Sequence, residues 1–563
     1  MNGTLAPPER PSDVTTLTEA DLEDQISYSC MASPAALVQP TLLDEKLNTS
    51  RRKTPAFLWI AVVLAGLAYI ATELRLDLAP VHYASLFPYF LLGLALAIAL
   101  GFEFVNGFHD TANAVATVIY THSMTPHSAV IYSGVLNFIG VLFSSGTVAF
   151  AIVSLLPVEL MLKANDGSGF AIIFALLVAA ILWNLATWYL GLPASSSHTM
   201  IGSILGVGLA YHFLEGKSGA AGLNWDQVAK VFKALIFSPA IGFIFAALIF
   251  AAFKLLLRDP RLYEAPRGNE PPPFYIRLML ILMCGGVSYA HGQNDGQKGM
   301  GLIMLILVGT VPTAYALNHA IDANQVQTFA AVSTQTAGVL ESYIAPGLTS
   351  ANPSAELERY IQTGVYGPAV LPALRSMVLA IRSDSTGYGT LAGVPNGTPG
   401  NIRNQMYLTS ESLRLLAKTG PHTSANDAAV LTNYAGFLDK STKFIPTWVK
   451  VAVALALGMG TMVGWKRIVI TVGEKIGKTR MTYAQGATAQ MVAMATILGA
   501  GTYGLPVSTT HVLSSSVAGS MSANGNGLQR ATLRNIGLAW VFTLPAAALL
   551  SGSLFWLFHL LAR

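Results

Sequence analysis

The chain has 563 residues, of which 53% are hydrophobic and 11% charged, and its formal net charge is only +4. Several apolar runs approach or exceed the roughly 20 residues that cross a bilayer as a helix, so these numbers exclude a soluble domain and a nucleic-acid partner. They indicate an all-α polytopic membrane protein. Cys30 lies in a polar tail and Cys284 in an apolar run, which gives neither a disulfide framework nor a thiolate metal cluster.

Residues 1–54 are polar, lack the apolar stretch of a secretory signal, and read as a disordered extension ending in Arg51, Arg52 and Lys53. The first spans fall at 55–73 and 85–105, followed by 128–156, 170–190, 234–257, 276–290, 299–318, 445–465, 484–503 and 533–560. That is about ten spans by the length criterion. Two mixed segments, 193–213 and 506–523, combine small, hydroxyl and apolar residues and read as re-entrant or broken helices. Residues 319–444 are polar and rich in Pro and Gly, an extramembrane loop that divides the membrane part into 55–318 and 445–563. The loops at 254–277 and 464–480 are both basic, which favours one cytoplasmic face for both. Two traverses across 276–318 would instead put them on opposite faces, a conflict that a broken helix there would remove.

Residues 102–126 carry a polar stripe in an apolar neighbourhood. Asn106, Asp110, Asn113 and Thr117 share one face if the stretch is helical. An ionisable group at membrane depth is costly and marks a binding or transport site, although Asp110 could also act as a simple tie between helices.

The stripe recurs. Aligning Gly107, His109 and Asp110 with Gly292, Asn294 and Asp295 gives an offset of 185, and GLPASSSHT at 191–199 matches GLPVSTTHV at 504–512 at an offset of 313. The difference between the offsets is close to the length of the 319–444 loop, so the chain holds two copies of one unit, the second interrupted by an insertion. Duplicated, Gly- or Pro-interrupted apolar segments point to a secondary transporter with its substrate near the midplane; an ion channel is the alternative from another class.

The motifs also suggest a ligand. Ser195, Ser196 and Ser197, and their counterparts Ser508, Thr509 and Thr510, offer hydroxyls beside free backbone N–H groups at a positive helix end, which suits an oxyanion. Close packing of small residues is the plainer reading of either cluster alone. Asp110 and Asp295 would repel such an anion unless a cation sits between, which predicts a co-substrate ligated also by Asn113 and Asn294. Lys298 can pair with Asp295 or contact the anion, and His109, His198, His291 and His511 are candidates for proton handling or for structural hydrogen bonds. Their spacing forms no zinc set, and no nucleophile with an adjacent base or nucleotide-binding glycine loop suggests an enzyme.

The motifs NGFHDTANAVAT at 106–117, GLPASSSHT at 191–199, HGQNDGQKGMGLIMLIL at 291–307, GWKRIVITVGEKIGKT at 464–479 and GLPVSTTH at 504–511 carry a resemblance. Here the sequence resembles the inorganic phosphate transporter (Pit) family, in its bacterial low-affinity branch. The resemblance implies an inverted-repeat bundle of about twelve helical elements including broken helices. It implies symport of phosphate across the plasma membrane, the inner membrane of a bacterium, driven by protons or sodium. Inorganic phosphate and the lipid bilayer are then the partners, with no tightly bound cofactor, and a homodimer is a further expectation. The family's Asn-Asp-x-x-Asn pattern falls on His109, Asp110 and Asn113, and again on Asn294, Asp295 and Lys298. A fixed cation in place of the second trailing Asn favours proton coupling, with phosphate carried as a neutral complex of Mg2+ or another divalent cation. Sodium coupling, or another oxyanion such as sulfate or arsenate, are the alternatives.

Overall fold

The structure is a computed structural model that describes residues 56–79, 86–110, 112–155, 167–215, 225–266, 270–318, 323–387, 399–525 and 527–561. The N-terminal extension read at 1–54 lies outside these residues. Among the described residues no strand occurs beyond an isolated bridge between Gly477 and Leu528.

The first half runs through α1 (Ala56–Leu78), α2 (Phe87–Asp110), α3 (Ala112–Tyr120), α4 (Pro126–Leu142), α5 (Thr147–Val153), α6 (Gly167–Tyr189), α7 (Ser196–Glu215) and α8 (Trp225–Leu256). The second half opens with α9 (Phe274–Thr310). After the insertion come α15 (Thr447–Thr461), α16 (Lys466–Ile470), α17 (Tyr483–Thr502), α18 (Thr509–Ala523) and α19 (Arg530–Leu561). Large apolar side chains such as Phe232, Ile236, Phe245, Val541, Phe542 and Leu549 stand exposed on α8 and α19, as a lipid-facing surface requires.

Among the described residues five helices are long and apolar enough to cross a membrane, rising to seven if the bent pairs α4–α5 (74°) and Ala425–Thr442 with α15 (68°) each count as one span. This is fewer than the sequence suggests. Helices such as α17, buried along its first half, are enclosed by neighbours and need not be apolar toward lipid.

The largest difference from expectation lies at 276–318. This stretch is not two traverses, because α9 is one continuous helix of 37 residues. Its glycines are close-approach points rather than breaks: a Cβ at Gly292 would lie 2.2 Å from the Asn137 carbonyl oxygen, and one at Gly301 would lie 2.8 Å from that of Ala149. With a single traverse, the two basic loops fall at the same end of the bundle. Lys254 Nζ donates to Asn524 Oδ1 (3.5 Å), Lys478 N to the Gly527 carbonyl (3.2 Å), and Arg277 Nε to the Ser123 carbonyl (2.9 Å). Tyr120 OH donates to Glu474 Oε1 at 2.5 Å in the same region. The conflict with the charge rule therefore disappears.

The repeat is visible in packing. α7 lies along α19 and α18 along α8, while α2 lies along α15 and α9 along α4. Each crossing is made at a glycine. A Cβ at Gly206 would sit 2.0 Å from the Ala548 oxygen and one at Gly519 2.1 Å from the Phe243 oxygen; Gly107 faces the Leu457 oxygen at 2.3 Å.

The insertion forms α10 (Ala323–Ser342), α11 (Pro353–Thr363), α12 (Val370–Gly387), α13 (Pro399–Thr419) and α14 (Ala425–Thr442). These helices close around their own core of Leu340, Leu357, Tyr360, Leu374, Tyr434 and Leu438. Arg414 ties Glu411 to Asp439 on their polar side.

Candidate functional site

The two GLP-Ser/Thr motifs each end one helix and begin another. Gly191 (φ +66°) and Gly504 (φ +65°) adopt the left-handed conformation that glycine takes without a Cβ penalty. Leu192 N donates to the Thr187 carbonyl (3.0 Å) and Leu505 N to the Ala500 carbonyl (2.9 Å), closing α6 and α17 identically. Proline then keeps the chain extended, and Ser195 and Ser508 accept the backbone N–H of His198 and His511, both at 3.1 Å. The first serine of each cluster thus acts as an N-cap, and Ser195 Oγ also lies 2.9 Å from His198 Nδ1.

The caps place α7 and α18 with their first turns facing each other. The His198 and His511 rings are 4.6 Å apart, and His511 stacks on Trp540 at 4.0 Å. α7 leads into the start of α8, whereas α18 ends beside Lys254 at the end of α8, so the two helices run in opposite senses away from the meeting point. Two positive helix ends therefore converge at one buried place.

Asp110 and Asp295 meet them there, both almost completely buried. Ser196 Oγ donates to Asp110 Oδ2 (2.5 Å), and Thr510 Oγ1 crosses from the other repeat to Asp110 Oδ1 (2.6 Å). His109 Nδ1 lies 3.0 Å from Asp110 Oδ1, its Nε2 3.2 Å from Thr187 Oγ1. In the second repeat Thr509 Oγ1 donates to Asp295 Oδ2 (3.3 Å) and Lys298 Nζ approaches the same oxygen at 2.8 Å. Lys298 also donates to Ser197 Oγ and to the Val507 carbonyl (3.3 Å). Ser196 and Thr509 are equivalent under the repeat, as are Ser197 and Thr510. By that symmetry Ser197 should reach Asp295, but the ammonium stands between them.

His291, Asp110 and Asp295 each offer one ligand atom, all within 4.8 Å of one another. His291 Nδ1 is 2.7 Å from Asn137 Oδ1, so donation there leaves the Nε2 lone pair directed at Asp295 Oδ2, 3.5 Å away. Asp295 Oδ1 has no hydrogen-bond partner among the described residues. His291, one of the four histidines named as candidates for proton handling, is thus grouped with the carboxylates. Asn294 is turned toward the other motif: its Nδ2 donates to the Leu505 carbonyl (3.2 Å) and its Oδ1 accepts from Val507 N (3.4 Å). The Asn113 side chain lies outside the described residues. Asn106 and Asp110 lie on α2 and Thr117 on α3; Thr111 between the two lies outside the described residues.

One residue escaped the sequence reading. Glu103 is fully buried on α2, seven residues before Asp110 and three before Asn106, whose Nδ2 donates to Glu103 Oε2 (3.4 Å). Its helical spacing from Asp110 was the available signal.

An enclosed charged site at the junction of two oppositely running copies of one unit defines a helical membrane protein built on a duplicated core. The chain belongs to the phosphate transporter family, matching it over residues 106–551. It is 44% identical over 485 residues to the low-affinity inorganic phosphate transporter PitA of Escherichia coli (strain K12), covering 83% of this chain and 96% of that one. To PitB of the same strain it is 42% identical over 502 residues, with the same coverage. A solved structure of a sodium-dependent phosphate transporter aligns with a TM-score of 0.46 and 19% identity, covering 84% of this chain and 99% of that one.

Proposed function

We propose that the protein takes up inorganic phosphate as a symporter of the bacterial inner membrane, driven by a proton gradient, and carries it as a neutral divalent-metal complex. The observation that carries this reading is the crossing of the repeats: Thr510 of one binds Asp110 of the other, and Ser197 binds the Lys298 that pairs with Asp295. Both helix N-termini and both carboxylates therefore act on one volume. Phosphate entering it competes with the carboxylates for Ser196, Ser197, Thr509 and Thr510. Phosphate beside two carboxylates in a low dielectric is repelled, and a divalent cation held by Asp110, His291 and Asp295 removes that repulsion.

Lys298 supports protons over sodium. It occupies the sequence position equivalent to Asn113 and lies, by its contacts, between Asp295 and Ser197, where a free cation would otherwise bind. A tethered ammonium fills that place through every cycle, so sodium has no vacancy to enter there. Loading and release are then left to the proton and the metal.

The test is radiolabelled phosphate uptake into proteoliposomes under a pH gradient or a sodium gradient, with and without magnesium. Accumulation above equilibrium under the pH gradient, increased by magnesium, is the expected result. Strict sodium dependence without response to a pH gradient would overturn the coupling, and flux that only reaches equilibrium would make the protein a channel or facilitator. Competition by sulfate as strong as by unlabelled phosphate would overturn the substrate.

A further inference from the structure

We propose that Glu103 is the group that binds and releases the co-transported proton. This rests on the proton-coupled reading above and names a residue for it. Glu103 is a fully buried carboxyl whose Oε1 has no hydrogen-bond partner among the described residues, and the Oδ1 of its neighbour Asn106 has none either. Asp110, by contrast, receives Ser196, Thr510 and His109, and Asp295 receives Lys298 and Thr509. An ionised carboxylate held at this depth by one amide at 3.4 Å is poorly compensated. A proton on Glu103 supplies an O–H donor, and Asn106, whose Oδ1 has no donor among the described residues, carries an acceptor on the next turn of the same helix.

The position suits a coupling role. Glu103 packs directly on the backbone of α9 at Gly299, where an added Cβ would lie 2.3 Å from its Cγ and 2.5 Å from its Oε1. Gly299 follows Lys298 in sequence, so the carboxyl sits against the turn that carries the ammonium. The charges facing it are Asp110 on its own helix and Asp295 and Lys298 on α9. α6 brings no acidic or basic side chain, Lys450 of α15 donates to the Ser144 carbonyl (3.0 Å), and His198 of α7 is held by Ser195 (2.9 Å).

On release, the carboxylic O–H breaks and the proton leaves to water on the side to which the site has opened, while Lys298 offsets the carboxylate left behind. On return, water on the other side supplies a proton and the neutral acid is restored. Nothing else is consumed. The proton and the metal-phosphate complex thus use separate groups, joined through α9.

The decisive experiment compares wild type, Glu103→Gln and Glu103→Asp in proteoliposomes by two readouts. One is phosphate accumulation under a pH gradient; the other is exchange of labelled for unlabelled phosphate without any gradient, which needs no net proton release. Gln is a permanent mimic of the protonated acid. We expect E103Q to lose accumulation while keeping exchange, and E103D to regain accumulation. Accumulation by E103Q equal to wild type would overturn the proposal, and so would loss of exchange together with accumulation, since Glu103 would then serve folding or phosphate binding. If the wild type itself shows no response to the pH gradient, the proton-coupled reading fails first, an outcome distinct from either of these.

Discussion

Asp110 and Asp295 are the same residue in two copies of one motif, yet they are held differently. Asp110 is surrounded by neutral donors and a histidine, with both oxygens engaged. Asp295 is paired with a buried ammonium and keeps one oxygen without a partner among the described residues. Duplication thus produced the scaffold, and divergence within the motif, His109 against Asn294 and Asn113 against Lys298, made its halves unequal. The half with hydroxyls can exchange its partners for a ligand. The half with the lysine carries its counter-ion permanently.

The largest effect is expected from breaking the charged half. Asp295→Asn leaves Lys298 buried without its counter-ion, at a cost of about 3–5 kcal/mol. Asp110→Asn removes an acceptor from largely neutral donors and costs about 1–3 kcal/mol. Both variants lose coupled uptake, so the comparison is read in thermal unfolding of the purified protein, where D295N falls further. The double variant D295N/K298M recovers most of that stability and none of the transport. Equal losses for the two single variants would show that the ammonium does not distinguish the halves.

Next in size is Lys298→Asn, which gives the second half the side chain of the first. Asp295 then needs a cation from solution. The expected outcome is reduced uptake under a pH gradient and a melting temperature that rises with added sodium relative to choline, as ligand linkage requires. A melting temperature insensitive to sodium would show that the place of the ammonium is not a cation site.

Much of this asymmetry was legible in the residues themselves. The offsets of 185 and 313 located both motifs, and the GLP signature fixed where two helices end and two begin, because glycine, proline and serine each act locally there. The long α9 was not legible. Gly292, Gly296, Gly299 and Gly301 read as a break in isolation, and only the facing residues Asn137, Val141, Glu103 and Ala149 reveal them as contact points. Which hydroxyl crosses to which carboxylate depends on the packing of α7 against α18, a long-range fact that spacing does not encode. Glu103 is hard to read from sequence because it lies outside both repeated motifs, so only its helical spacing from Asp110 marks it.

A smaller effect separates capping from binding inside each cluster. Ser195→Ala and Ser508→Ala each remove one N-cap, worth about 1 kcal/mol, and both caps are at 3.1 Å. Ser196→Ala and Thr510→Ala remove donors to Asp110 instead. We expect the first pair to lower the melting temperature with phosphate affinity kept, and the second pair to weaken phosphate uptake at low substrate while melting changes less. Reversal of this pattern would move the phosphate ligands to the caps.

The smallest effect is expected outside the membrane, in the loop between α8 and α9. The Arg261 guanidinium, with Tyr275 OH, lowers the Asp259 carboxyl to about 2. Because this acid is stronger in the folded chain than in the unfolded one, its contribution is complete above the unfolded value near 4 and fades only as pH falls toward about 2. Across roughly pH 5–8, where His and perturbed carboxyl groups titrate, Asp259 therefore stays ionised and contributes a constant. Asp259→Asn is expected to leave the shape of the uptake-against-pH curve unchanged, whereas E103Q flattens it. A changed curve in D259N would place part of the pH response in this loop, at the end of the bundle where the basic segments gather, and would remove it from the two halves of the buried site.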